Sequence, residues 1–326
     1  MQRLLPALFL LFGLLSGCAD TPGAPTAPPA SASPSASVSE APTLERDEEP
    51  AWVACRIVDG AGEGELLLAE LDHELTLHED SRHDGKSVYR LSLGGLRCEE
   101  TVQPDGTVLA AAMINNGVSV YLDGEPAQSS DLKDGMNVEI SFNGVVLESF
   151  PAQFGEVYEL HAYSVGTPQC PGGSLYDLCG LYLQVLDDLW EKDPGLNSDI
   201  ALAGLNLSEA PGELLDSEKA AIGWRFGETH SVEVVQGTYE ELAEEGYFTS
   251  VSEDPERPLY QWENGCLFSI TAAGGHEEEL YSLPVLFFDA EKWRSPLGGY
   301  YLNDCSAVWP EFGTWSGYTV GGEAIS

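Results

Sequence analysis

The sequence predicts a multidomain chain with two folded parts, an all-β small barrel followed by an α+β domain with a mixed sheet. Two observations predict this. Seven Asp-Gly or Asn-Gly dipeptides fall between positions 59 and 144 and separate short stretches of alternating apolar and polar residues. Beyond residue 167 the apolar spacing becomes helical, and short apolar runs lie between the helices.

Residues 1–50 fit neither pattern. Arg3 is the only charge in the first nineteen residues, and the apolar run from Leu4 to Leu15 follows it. A short charged start, an apolar core and a small-residue cleavage site make residues 1–17 a secretory signal. Leu15-Ser16-Gly17-Cys18 resembles the bacterial lipoprotein signal. The resemblance implies cleavage before Cys18, a diacylglycerol on its thiol and an anchor on the extracytoplasmic face of the cell membrane. One acyl chain holds a protein to a membrane marginally, and two hold it stably. Residues 18–50 are rich in Ala, Pro, Ser and Thr, with too little apolar surface to offset ordering entropy. They read as a disordered tether of ~32 residues, reaching about 30 Å as a flexible coil.

The barrel is expected over residues 51–166. Its turns are Asp59-Gly60, Asp84-Gly85, Asp105-Gly106, Asn116-Gly117, Asp123-Gly124, Asp134-Gly135 and Asn143-Gly144. Stretches such as Val88 to Leu93, Val118 to Tyr121 and Val138 to Ser141 supply strands. Asp131-Leu132-Lys133-Asp134-Gly135 through Ile140, with Glu148-Ser149-Phe150-Pro151-Ala152-Gln153, resembles an OB-like β-barrel domain of Gram-positive secreted proteins and lipoproteins. The resemblance covers residues 114–160 and implies fold and compartment but no activity. Pro151 is expected to end a strand, because it cannot donate to a ladder.

Residues 167–326 should form the α+β domain. Ser174 is a candidate cap for a helix carrying Leu175, Leu178, Leu181, Tyr182, Val185, Leu186, Leu189 and Trp190, with Asp177 at its third position. Ile200 to Leu207 reads as a buried strand, Ser217 to Phe226 as a helix ended by Gly227, and Val232 to Val235 as a second strand. That order implies a parallel pair. Thr238 and Glu241 make a capping box for a third helix, closed by Gly246. Hairpin strands follow over 259–262, 266–272, 280–288 and 300–308. Residues 174–306 also resemble an extracytoplasmic domain of Gram-positive bacteria with no assigned activity. The residues carrying the match include Asp193-Pro194-Gly195-Leu196-Asn197 and Lys292-Trp293-Arg294-Ser295.

Acidic residues number 54 against 14 basic ones, for a net charge of −40. Loss of Arg3 with the signal makes the mature chain slightly more negative. Nucleic acid and anionic membrane surfaces need clustered Lys and Arg, so neither is an expected partner. Once Cys18 is lipidated, an even set remains: Cys55, Cys98, Cys170, Cys179, Cys266 and Cys305. Outside the cytoplasm such a set suggests disulfides. Bridges kept within each part would join Cys55 to Cys98. The other four allow three pairings, of which Cys170–Cys179 with Cys266–Cys305 is favoured. Free buried thiols are the alternative.

No complete catalytic or metal-binding motif is present, so no cofactor or metal is expected. His73 and His78 are five apart in a strand-like stretch, which points their rings to opposite faces, and His83 follows. No Ser sits in a nucleophile elbow. Asp193, Asn197 and Asp199 lack calcium-loop spacing. Trp309, Phe312, Trp315 and Tyr318 recur every third residue, as on an extended polyproline-like path. A strap packing its rings onto the core accounts for this. The alternative is an aromatic platform, with these four as the candidate ligand-binding residues for an envelope glycan or a protein partner. The expected function is a non-catalytic binding or adaptor module at the cell envelope. The alternative is an envelope hydrolase acting on glycan or peptide.

Overall fold

The computed structural model describes residues 49–326 apart from 73–75, 78–84, 95, 103–107, 116, 165–176, 253, 255–257, 277–284 and 309–316. Cys18 and nearly all of the tether therefore lie outside the described residues, as do His73, His78 and His83.

The first half is built from β1 (Ala51–Asp59), β2 (Glu65–Glu70), β3 (Val88–Ser92), β4 (Leu96–Val102), β5 (Val108–Asn115) and β6 (Ser119–Leu122). After these come β7 (Glu125–Ala127), β8 (Asn137–Phe142), β9 (Val146–Leu147), β10 (Ala152–Phe154) and β11 (Val157–Tyr163). Gly60, Gly85, Gly124, Gly135 and Gly144, all from the predicted turn dipeptides, take positive φ. β4 and β5 make a separate hairpin, and the other strands form one sheet in the order β7-β6-β11-β8-β1-β2-β3-β10-β9. Seven of its strands contribute to one apolar cluster that includes Val53, Leu68, Tyr89, Val120, Ile140, Phe154 and Leu160. The sheet thus wraps its own core. It does not close into the expected barrel, because β10 pairs with β3 and then with β9, leaving β9 and β7 as its two edges. Pro151 sits just ahead of β10 and does not end a strand.

β1 and β8 are central, and every residue from Val53 to Val58 and from Asn137 to Phe142 is buried. Strand alternation gives them two buried faces. Val53, Cys55 and Ile57 enter the sheet's own core. Val58 joins Leu67, Ala69 and Val88 in a second core, whose other members come from the second half of the chain.

That half runs α1 (Leu178–Glu191), β12 (Leu202–Asn206), α2 (Asp216–His230), β13 (Glu233–Gln236), α3 (Tyr239–Glu244), β14 (Thr249–Ser250) and β15 (Tyr260–Gln261), then β16 (Gly265–Ala272), β17 (Val285–Ser295), β18 (Gly298–Val308) and β19 (Gly322–Ile325). The second large sheet has the order β13-β12-β16-β17-β18-β19. β12 is parallel to β13 and β16, and the remaining pairs are antiparallel, so the sheet is mixed as expected. α1 contacts β1, β16 and β17, while α2 contacts β2, β3 and β13. The two helices are therefore a middle layer between two sheets, and residues 48–326 form one compact unit. On the other face of the second sheet, α3 closes a smaller aromatic core around Phe248 and Trp262.

The predicted stripe of α1 is buried at Leu178, Leu181, Tyr182, Val185, Leu186 and Leu189. Ser174 is outside the described residues, and the N-cap is Asp177, which accepts from the Gly180 amide at 2.9 Å. α2 runs on through Gly227 to a left-handed Ser231. Gly227 is needed inside the helix, since a Cβ there would lie 2.9 Å from the Val232 carbonyl oxygen.

The disulfide expectation is corrected at every cysteine whose side chain is described. Cys55, Cys179, Cys266 and Cys305 are free and buried. Cys266 is the second residue of β16, whereas Cys305 sits on β18 opposite Phe288, with β17 between them. Two strand spacings alone come to roughly 9.5 Å, beyond a disulfide's reach. Burial raises Cys266 and Cys305 to about 12 and Cys55 and Cys179 well above the ordinary range, so all four act as small apolar residues. Cys170 and the Cys98 side chain lie outside the described residues.

Candidate functional site

α2 is anchored before it is displayed. In its first turn Glu218 accepts from the Leu215 amide at 2.8 Å and from Arg56 of β1. Arg56 Nε also donates to Asn137 Oδ1 of β8 at 3.1 Å. Ser217 Oγ donates to the Glu70 carbonyl at 2.6 Å. These buried bonds fix the helix to the first sheet and set the direction of its remaining face.

That face carries Ala220, Gly223, Trp224, Gly227 and Glu228, spaced as one helical stripe. It floors an open groove of about 750 Å³. Val232, just ahead of β13, and Val234 and Gln236 on it line the groove, as does Phe150. Small residues make this geometry. A Cβ at Gly227 would lie 2.9 Å from the Val232 carbonyl oxygen, so glycine there lets the chain entering β13 approach the helix. Trp224 is held from behind by Arg90 of β3, whose guanidinium lies 5.6 Å from the ring centroid. Arg90 is itself paired with Glu65 at 3.0 Å.

Phe150 is 66% exposed and continues into exposed Val145, Val146 and Leu147. Four of the eleven large apolar residues exposed among the described residues thus fall within six positions of the chain, and Phe150 among them lines the groove. Among the described residues, Glu228 is the one ionisable side chain lining it. In a chain of 54 acidic residues, an aromatic-walled groove with a single acid stands apart from the rest of the surface.

Of the four predicted ligand-binding aromatics, Trp309, Phe312 and Trp315 lie outside the described residues. Tyr318 packs on Phe288 with centroids 5.6 Å apart and donates to Asp188 Oδ2 at 3.1 Å. It lines a second groove of about 550 Å³ with Gln184, Glu191 and Lys192. Sequence reasoning missed the first groove. Its parts, residue 150 and residues 220–236, are joined only by the packing of the two halves.

Asp289 and Glu291 are one pair of neighbouring carboxylates. Burial raises Glu291, and Ser269 hydrogen-bonds it. Both acids stand on the same face of one strand, two residues apart. Glycoside hydrolysis needs two carboxyls flanking a bond from different sides, and side-by-side acids on one strand do not provide that.

No protein-family model matches this chain, and neither a curated protein nor a solved structure matches it.

Proposed function

We propose that this chain is a lipid-anchored, extracytoplasmic binding module, and that its ligand site is the groove between α2, β13 and Phe150. The N-terminal signal and Cys18 support the anchor and the compartment. The first half is read as OB-like, supported by the Asp131–Ile140 and Glu148–Gln153 segments and by a sheet that wraps one core. The groove is the observation that carries the function. It is concave, mostly apolar, walled by Trp224 and Phe150, and holds one ionisable group. Catalysis by acid and base needs convergent titratable groups, whereas recognition needs rigid aromatic walls with a few polar groups beside them. The partner is an envelope glycan or a protein segment.

The test is a thermal-shift screen of the mature chain against muropeptides, polysaccharides and peptides. A ligand at 100 times its Kd adds about 2.7 kcal/mol, which raises the midpoint by several degrees. Trp224→Ala and Phe150→Ala are expected to abolish the shift while leaving the unliganded midpoint within a few degrees of wild type. Ligand binding that is indifferent to both substitutions would overturn the assignment of the site.

A further inference from the structure

The outer edge of β13 has a property that an aromatic groove alone does not. The amides of Glu233 and Gly237 donate inward to the carbonyls of Ala201 and Leu205, at 3.0 and 3.2 Å. Strand alternation then turns the N–H and C=O groups of Val234 and Gln236 away from β12. β13 is the end strand of its sheet, so nothing continues the ladder there among the described residues. Val232, Val234 and Gln236 are also the β13-side residues that line the groove. The groove thus brings the strand that carries an open ladder together with exposed Phe150 and with Trp224.

We infer that the β13 edge is a strand-addition site for an extended peptide that is neutral or basic and carries apolar side chains at alternate positions. This rests on the binding-module reading and names its ligand class. Each part of the proposed chemistry answers a feature of the site. The open N–H and C=O groups of Val234 and Gln236 match an extended backbone laid alongside them. Apolar side chains on one face of the peptide fall between Trp224 and Phe150. β13 spans four residues, about 13 Å, so the peptide needs a strand of comparable length. Charge decides between occupants. Glu228 and Glu233 flank the edge, and the whole chain carries −40. A second copy paired edge to edge would bring both pairs of acids together, and an acidic peptide would meet the same repulsion. A neutral or basic segment is drawn in instead.

The test begins with the mature chain and a displayed octapeptide library holding Val, Ile, Leu or Phe at alternate positions and all residues between them. Enrichment is expected for sequences rich in Lys or Arg, retained by wild type and rejected by Trp224→Ala. An enriched peptide is then N-methylated in two alternating registers and titrated by fluorescence anisotropy. Methylation in the register facing β13 should weaken binding at least tenfold, and methylation in the other register should change it less than twofold. Equal effects of the two registers, or a library yielding nothing that Trp224→Ala rejects, would overturn the inference. A glycan that binds through Trp224 and Phe150 while no peptide does would overturn it and leave the binding module standing. If no ligand of any class depends on those two residues, both readings fall.

Discussion

Arg56 of β1 and Glu218 of α2 form an ion pair across 162 residues of chain, with side chains only 6% and 2% exposed. The pair ties the first sheet to the helix that floors the groove. Its partners complete it, since Arg56 also donates to Asn137 and Glu218 accepts from the Leu215 amide. A buried pair gives little net stability, but removing one member strands the other charge at a cost of about 3–5 kcal/mol. R56M should therefore lower the unfolding free energy by about that much in urea titration. R56M/E218M should recover a large part of the loss. A double variant no better than R56M would show that the pair acts through something other than charge compensation.

Lys292 is fully buried, and no ion pair to a carboxylate is seen for it among the described residues. Its ammonium donates instead to the carbonyls of Trp190, Lys192 and Asp193 and to Asn197 Oδ1. These carbonyls end α1, where helical partners run out and the dipole is negative. Burial lowers the Lys292 pKa. K292M keeps the stem and removes every donor, and stranding buried acceptors costs about 1–3 kcal/mol. The expected outcome is a midpoint lower by several degrees with the same folded circular-dichroism spectrum. An unchanged midpoint would mean that water replaces the ammonium at no cost.

The sequence made the turns legible because Asp-Gly and Asn-Gly report a local backbone requirement, which the positive φ of Gly60, Gly124 and Gly135 meets. It made α1 legible because a wide apolar stripe has one helical explanation. The sandwich of helices between two sheets was not legible. That arrangement rests on polar contacts from inside strands, such as Arg56 to Glu218 and the Glu70 carbonyl to Ser217, whose partners are far away in sequence. An even set of cysteines suggested bridges, but nothing local distinguishes a bridged thiol from one buried as a small apolar group. The groove was hidden for the same reason as the sandwich, since only tertiary packing brings Phe150 to Trp224.

Asp177 makes stability depend on pH. Burial raises its pKa to about 6 from an ordinary 3.8, against the opposing bond from the Gly180 amide. A carboxylate raised on folding stabilises fully below its unfolded value, and that contribution is lost as pH rises through the folded value. The difference corresponds to about 3 kcal/mol between pH 3.8 and pH 7. Asp134 and Glu291, also raised by burial, push the same way. The midpoint should therefore be higher at pH 5 than at pH 7. In D177N, where Asn still caps the helix, this slope should flatten. Equal slopes in wild type and D177N would place the dependence elsewhere among the acids.

Gly223 and Gly227 lie on the same face of α2, and alanine at either position gains about 1 kcal/mol of helix propensity. What each Cβ meets sets the outcome. At Gly223 the nearest atom is Gln236 Nε2 at 2.9 Å, the end of a flexible side chain bonded to the Lys219 carbonyl. Moving it gives up one hydrogen bond, about 1 kcal/mol, so G223A should be near neutral. At Gly227 the nearest atom is the Val232 carbonyl oxygen, also at 2.9 Å. This is backbone, and the Val232 amide is bonded back to Gly227 O at 3.1 Å. The turn cannot yield without pulling β13 from β12, so overpacking of about 1–3 kcal/mol outweighs the propensity gain. Urea unfolding should rank G227A clearly below G223A. The same displacement moves the open edge of β13, so G227A should also weaken any ligand whose binding requires Trp224. A stable G227A with unaltered binding would show that β13 is free to shift and that its edge is not held in place by α2.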